Sequence, residues 1–464
     1  MGIGAGVLKL VVGQPSLDFL ASRSSRPSWR SPLGSERARL AHLLRRATLG
    51  TGPQALERAL EGSFTGTVDR ILETPAAEPP PVISSADPTH GGMLSGPDLQ
   101  QWWLKHILTT PTPFAERMTY FWHGHFTSDV DKVGNPFMYW QNLTWRRMAL
   151  GRLPDILWRV TVDPAMLLYL DLDSSDASDH SQPPNENYAR ELMELFTMGP
   201  GNYSEADVKA AARALAGWSA PPPDGEVEVV VDPETGTRAP VEVWSHQTTG
   251  VFYPEKAYDG KVAYLGKKGR LQLSDVIKGI LAQPVTGTFL ARKVAAHFIS
   301  PKPSDETIRQ LAGTFRSTSY DVRALVRAAL LSPEFVAAGS YRSLVKSPVE
   351  FMLSAALAVG ASAQDATELI AGYGYASGQS LFEPPNVAGW PGNERWISPS
   401  MVLARFNFVS ELLDRVGEPP PASGAEELHL DGVLSDSTAR RLTQTRSDRE
   451  RWLVILTSPE FNLK

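Results

Sequence analysis

The segment 184–196 concentrates the ionisable side chains best suited to chemistry in this sequence. Placed on a helix at about 100° per residue, its polar side chains fall on one arc and its apolar side chains on the other. On the polar arc, Glu186 and Glu191 are candidate acids, bases or metal ligands, and Arg190 is a candidate orienting or anion-binding group. Asn187 lies at the edge of the arc and is a candidate substrate contact.

The same spacing has a simpler interpretation. Glu186, Arg190 and Glu194 are each four residues apart, which on an exposed helix forms a ladder of surface ion pairs that adds little stability. The sequence therefore leaves open whether these carboxylates face a cleft or only solvent.

His123 and His125 form the second candidate site. On an extended segment, a His-x-His pair presents both imidazoles on one face, which is a common spacing of metal ligands. Apolar residues at helical spacing run up to His125, and on a helix the two rings would point about 200° apart and would not share an ion. A divalent metal is thus one alternative, with Asp129, Asp131 or Glu191 as candidate oxygen ligands.

Trp390 is the third candidate, because it lies between a glycine and a proline in the Pro- and Gly-rich run 382–392. A tryptophan held in such a loop suits a stacking platform for a sugar or another planar ligand, and Asn386 of the same loop is a candidate substrate contact. Alternatively, the prolines form a rigid turn and Trp390 pins that turn to the core.

The composition restricts the class of protein. A chain of 464 residues with 42% hydrophobic residues exceeds the roughly 250–300 residues at which a single core stops growing, so we expect two lobes. A net charge of −6 argues against a nucleic-acid partner. The absence of cysteine excludes disulfides, thiolate metal sites and cysteine nucleophiles.

No stretch approaches the roughly 18 apolar residues of a membrane span, so no membrane span is expected. The first 20 residues lack a basic start and a long apolar block, so a cytoplasmic protein is expected.

The pattern along the chain predicts a mainly α protein, with helical hairpins in two lobes and a small β-hairpin excursion. We expect four parts, namely a flexible segment at 1–35, a helical lobe at 36–220, the β excursion at 221–270 and a second helical lobe at 271–464. In the excursion, Val227, Val229 and Val231 precede a turn at 232–236 and a return strand through Val241 and Val243.

Two helices are predicted on either side of Gly199. The first covers 185–198, and the second follows a capping box made by Ser204 and Asp207. The second helix has one apolar stripe, so we expect the two helices to pack as a hairpin; the stripe comprises Val208, Ala211, Ala212, Leu215 and Trp218.

Several of these segments together resemble the bacterial family known as domain of unknown function 1800. The resemblance extends from about residue 36 to the end of the chain, and it rests on the runs 42–47, 121–126, 185–199, 204–218, 344–348 and 382–392. It implies a large, mainly helical bacterial protein, often encoded beside a sulfatase-like protein, and it implies no particular reaction.

Two departures from the family pattern bear on the site. Family members commonly have a His-Asp pair before Gly-x-Lys. The matching run here reads Ala-Tyr-Asp-Gly-Lys and lacks the histidine. Its aspartate, Asp259, is kept as a candidate substrate contact. A branch of the family lacks the histidines that match His123 and His125, which argues against an indispensable role for these two residues.

Two classes of function follow from the sequence. One is an enzyme, metal-assisted or carboxylate-based and in the simplest case hydrolytic, that acts on a polar, carbohydrate-like substrate through Glu186, Arg190 and Glu191. The alternative is a non-catalytic helical scaffold or adaptor that works with a partner protein. The cofactor is left open.

Overall fold

The computed structural model describes residues 29–52, 54–79, 95–221, 227–231, 238–242 and 248–464. The flexible segment predicted at 1–35 lies largely outside these residues, and α1 begins at Glu36. The helices of the first half are α1 Glu36–Ala47, α2 Gln54–Leu60, α3 Phe64–Glu73, α4 Gly96–Thr109, α5 Pro113–His125, α6 Val130–Val133, α7 Asn135–Met148, α8 Leu153–Thr161, α9 Pro164–Tyr169, α10 Asn187–Glu194 and α11 Glu205–Leu215.

The second half is also helical. Its helices are α12 Leu273–Ala282, α13 Pro284–Phe298, α14 Asp305–Ser317, α15 Val322–Leu330, α16 Pro348–Ala358, α17 Ala363–Ala376, α18 Pro399–Val416, α19 Ala425–Leu430, α20 Asp436–Leu442 and α21 Asp448–Thr457. No helix in the described part of the chain is both long enough and apolar enough to cross a bilayer.

The strands form two-stranded antiparallel sheets between α11 and α12. They are β1 Trp218–Ser219, β2 Val227–Val231, β3 Arg238–Glu242, β4 Val251–Phe252, β5 Val262–Tyr264 and β6 Lys267–Gly269, paired β1 with β4, β2 with β3 and β5 with β6. The predicted hairpin is the pair β2–β3, in which Val227 lies opposite Glu242. Its turn and Val243 lie outside the described residues. The prediction of a mainly α fold with a small β-hairpin is confirmed.

Hydrogen bonds between residues close in the sequence fix the ends of helices α10 and α11. Ser204 caps α11 by accepting from Asp207 N at 3.2 Å, and Asp207 accepts in return from Ser204 N at 2.9 Å, as the capping box predicted. The two helices pack against each other as the expected hairpin. The first is shorter than predicted, because Met198 N bonds to Met193 O and the chain then reverses at Gly199, whose φ is 81°.

Buried apolar side chains form two large clusters that draw on distant parts of the chain. The first core combines α1, α3, α5, α8, α10 and α11 with α12–α15. The second core combines α4 and α6 with α16–α18 and α21. Helix α5 lies between them, since Phe121 belongs to the first core and Tyr120 packs against the second. The lobe boundaries predicted from the sequence stay a prediction.

Candidate functional site

A cavity of about 320 Å³ lies where α5 and α13 of the first core meet α16 of the second. This volume falls at the lower end of the range typical of small-molecule sites. We call it the central cavity; its polar and aromatic lining comprises Arg117, Tyr120, Phe121, His123, His125, Lys293, His297, Ser347, Glu350, Gln379, Trp390, Asn393, Trp396 and Lys464.

A buried ion cluster forms part of the wall. Glu350 lies in the first turn of α16, where it forms the capping box with Ser347, and its Oε1 accepts from Arg117 Nη1 at 2.6 Å. Lys464 Nζ contacts the same oxygen. Burial of Glu350 opposes its ionisation, but Arg117 and Lys464 outweigh that effect and lower its pKa to about 2. Glu350 is therefore an anion throughout the physiological pH range.

A hydroxyl network lies beside this cluster. The Tyr120 hydroxyl is 2.8 Å from Ser347 Oγ and accepts from Gln379 Nε2 at 2.5 Å. Burial and the nearby Glu350 raise the pKa of Tyr120 to about 12, so its hydroxyl stays protonated. Gln379 is fixed in turn, because its Oε1 accepts from Val349 N at 3.0 Å. These groups are suited to hydrogen bonding with a polar ligand.

His123 and His125 lie at the end of α5, which runs through His125, so the helical alternative applies. His123 Nε2 accepts from Phe382 N at 3.1 Å, whereas His125 Nε2 donates to Phe196 O at 3.0 Å. Burial lowers the pKa of both imidazoles to about 3, so both are neutral. The two rings have different partners, and the described residues contain no group of three or more His, Asp or Glu that could hold a metal ion.

Trp390 packs against α5 at the cavity. Its ring lies 5.1 Å from that of His123. Gly389 brings the loop this close, because its φ is 80° and a Cβ there would lie 2.8 Å from the Gly124 carbonyl oxygen. The loop that contains Trp390 therefore rests directly on the helix that carries His123.

Two non-glycine residues near Trp390 adopt positive φ. Phe382 has φ 67° and is held at both peptide groups, since its N–H donates to His123 and its carbonyl accepts from Val130 N at 3.0 Å. Asn393 has φ 54°, and its Oδ1 accepts from Val345 N at 3.1 Å. Such conformations persist only where the surroundings impose them, and they cluster at binding sites.

The polar face of α10 forms a separate surface. Arg190 pairs with Glu205 at 2.7 and 2.8 Å and with Glu186 at 3.3 Å, which is an ion-pair ladder. Burial, and then the nearby Glu194, raise the pKa of Glu191, while Arg190 opposes the increase. The lining of the central cavity includes none of these side chains.

The remaining predicted contacts lie outside the central cavity as well. Asn187 Nδ2 is 3.5 Å from Asp171 Oδ2. Asp259 is 78% exposed and lies 2.8 Å from His180 Nε2. Asn386 is exposed, and its Oδ1 accepts from Ala388 N at 2.9 Å, which stabilises the turn before Trp390. Of the predicted site residues, the structure thus brings His123, His125 and Trp390 together.

The sequence patterns did not indicate the charged lining of the cavity, namely Arg117, Lys293, Glu350 and Lys464. One signal was available on α5, where Arg117, Tyr120 and Gly124 are spaced i, i+3 and i+7 and therefore share one helix face.

The fold and the site define a mainly helical protein with a polar cavity between two cores. The model of the family described as "Protein of unknown function (DUF1800)" matches residues 42–463, so the chain belongs to this family and the resemblance seen in the sequence is confirmed. No curated protein and no solved structure matches the chain.

Proposed function

We propose that the protein binds a polar organic molecule of about the size of a sugar in the central cavity, and that any reaction on this molecule takes place there. The observation that carries the proposal is the composition of the wall, in which Trp390 and Trp396 line the same cavity as Tyr120, Gln379 and the ion cluster. An apolar face combined with a few fixed polar groups is the usual composition of a small-molecule site.

A divalent metal and hydrolytic chemistry are not part of this proposal. The support for a metal was the His-x-His pair, whose Nε2 atoms bond to Phe382 and Phe196. The support for hydrolysis also included Glu186 and Glu191, which do not line the cavity. The cytoplasmic localisation expected from the sequence stays a prediction.

Replacing Trp390 by alanine tests the proposal. We expect Trp390→Ala to weaken binding of a cavity ligand by roughly tenfold or more, because an aromatic contact with the ligand is lost. The measurement is calorimetric titration of the full chain with a panel that contains glucose, N-acetylglucosamine and glucuronate. Trp158→Ala is the matched control, since Trp158 is 40% exposed on α8 and does not line the cavity.

Two outcomes would contradict the proposal. They are the absence of any binding member in the panel, and binding that Trp390→Ala leaves unchanged. Glu191→Gln addresses the catalytic role predicted for Glu186, Arg190 and Glu191, with binding measured by the same titration and turnover of the bound panel member measured by product analysis. A loss of turnover with intact binding would support that role, and unchanged turnover would leave α10 as a surface ion-pair ladder.

The scaffold alternative has its own supporting observation. Trp158, Val251 and Phe252 are each about 40% exposed, and the Trp218 ring lies 6.3 Å from Trp158 and 5.3 Å from Phe252. Exposed aromatic residues of this kind are enriched at protein interfaces. The candidate partner is the sulfatase-like protein that the family resemblance implies.

Trp158→Ser should then weaken the complex between the purified chain and that partner, because the replacement removes apolar area from the contact. The measurement is analytical size-exclusion chromatography of the two purified proteins, with Trp390→Ala as the control. A complex that forms equally well with both variants, or no complex with the wild-type chain, would refute the scaffold role at this surface.

A further inference from the structure

The side-chain charges that line the central cavity do not cancel. Arg117, Lys293 and Lys464 are basic, whereas Glu350 is the one acidic side chain among the described lining residues. Burial, followed by the charge of Arg117, lowers the pKa of Lys464, but Arg117 and Lys293 alone already exceed the single negative charge of Glu350. Arg46 lies near this group as well, since it affects the ionisation of His297 together with Arg117 and Lys464. A recess with an excess of one sign of charge attracts a ligand of the other sign.

Arg117 supplies the geometry for such a ligand. Its Nη1 donates to Glu350, whereas Nε and Nη2 are buried and have no acceptor among the described residues. These two donors form the side-on edge of the guanidinium, the arrangement that matches two oxygens of a carboxylate or phosphate. The guanidinium carbon of Arg117 also lies over the Phe298 ring, 5.9 Å from the ring centre.

Two further cavity residues have buried nitrogens without a partner. Trp390 Nε1, which can only donate, and His297 Nε2 lack hydrogen-bond partners in the described part of the chain. Buried polar atoms are normally paired, and these nitrogens belong to residues that line the cavity together with Arg117, so they are available to a polar ligand there. Burial, followed by the charges of Arg117 and Lys464, lowers the pKa of His297, so the imidazole stays neutral beside these cations.

The size and the aromatic wall argue against a bare ion. A volume of about 320 Å³ exceeds what one oxyanion would fill, and the aromatic residues Trp390 and Trp396 line the cavity, where they suit contact with a carbon skeleton. Lys293 is exposed on α13 and lies at the cavity, where it can meet an arriving anion.

We infer that the ligand of the central cavity is an organic anion whose carboxylate or phosphate group binds the free side-on edge of Arg117. This inference rests on the proposed function of the cavity. It adds the charge of the ligand and the group that recognises it.

The test is calorimetric titration of the full chain, at constant ionic strength, with glucuronate, glucose 6-phosphate and glucose. We expect at least one of the two anions to bind roughly tenfold tighter than glucose, because each charge-assisted contact adds affinity. A preference for glucuronate would assign a carboxylate ligand, and a preference for glucose 6-phosphate would assign a phosphate ligand.

Lys293→Gln should weaken binding of the preferred anion roughly three- to tenfold and leave glucose unaffected, whereas Lys293→Arg should retain the preference. Lys278→Gln makes the same charge change on an exposed site of α12 outside the cavity, and we expect no effect from it. Arg117→Lys keeps the charge and removes the side-on edge, so the variant should lose the preference for the anion if it folds. If Arg117→Lys does not fold, the exposed Lys293 variants still test the inference.

Equal binding of glucose and both anions would overturn the inference, and so would equal weakening of glucose and the anion by Lys293→Gln. If such charge-independent binding still requires Trp390, the proposed function stands and the inference alone fails. If no panel member binds in a Trp390-dependent manner, both are refuted.

Discussion

Replacing Glu350 by glutamine is expected to lower the free energy of unfolding by about 3–5 kcal/mol, because breaking a buried ion pair leaves an uncompensated charge. Glu350 is 3% exposed and is the counter-charge of Arg117 and Lys464, which are also buried. Glutamine has nearly the same shape but no charge, so the effect isolates electrostatics from packing. The measurement is urea denaturation at pH 7.

Glu368→Gln is the matched control, since Glu368 is 72% exposed and pairs with Arg415 at the surface, where an ion pair contributes little. Adding Lys464→Met to Glu350→Gln should recover part of the loss, because it removes one of the two uncompensated cations. A change below about 1 kcal/mol in Glu350→Gln would show that the ion cluster is solvated and that the cavity wall is not organised by it.

Replacing Asp163 by asparagine is expected to stabilise the protein at neutral pH and to have no such effect in acid. Asp163 is buried at the start of α9, where its Oδ1 accepts from Met166 N at 3.1 Å and from Gln141 Nε2 at 2.9 Å. Burial raises the pKa of Asp163 to about 7, against these hydrogen bonds. Asparagine keeps the capping oxygen and removes the cost of a buried charge.

The pH dependence of the stability difference follows from the different pKa of Asp163 in the folded and unfolded chains. Below the unfolded pKa of about 3.8, Asp163 is protonated in both states and does not affect the pH dependence. As the pH rises from there to about 7, only the unfolded chain loses the proton, so the wild type loses stability relative to Asp163→Asn. The loss should reach about 4 kcal/mol and level off above pH 7.

The measurement is the difference between the unfolding free energies of wild type and Asp163→Asn, taken from urea titrations at pH 4 to 8. Asp321→Asn is the control for replacing a capping carboxylate, because Asp321 caps α15 in the same way but is partly exposed and so does not carry the cost of a fully buried charge. A constant difference between wild type and Asp163→Asn across this range would refute the prediction.

Short-range patterns accounted for much of the fold. The α10–α11 hairpin was predictable because capping boxes and apolar stripes involve residues three to four positions apart, whose geometry a helix fixes locally. The valine alternation predicted the β2–β3 pair for the same reason. The boundary of α10 was missed by several residues, because the bond from Met198 N to Met193 O replaces the helical pattern.

The site was only partly predictable. His123, His125 and Trp390 were singled out by residue type and do line the central cavity. Glu186, Arg190 and Glu191 form a dense polar motif, but in the structure its charges lie on a different surface. A charged helix face looks the same in the sequence whether it meets solvent or a cleft.

The sequence by itself determined the helices, the hairpins and the family, because each depends on neighbours along the chain. Only the tertiary structure decided where ligand chemistry is placed. Arg117 and Glu350 are 233 positions apart, and His123 and Phe382 are 259 apart, yet each pair is in hydrogen-bond contact. These contacts arise from the packing of two cores built from distant segments, and no periodicity or local motif encodes which side chains such packing brings together.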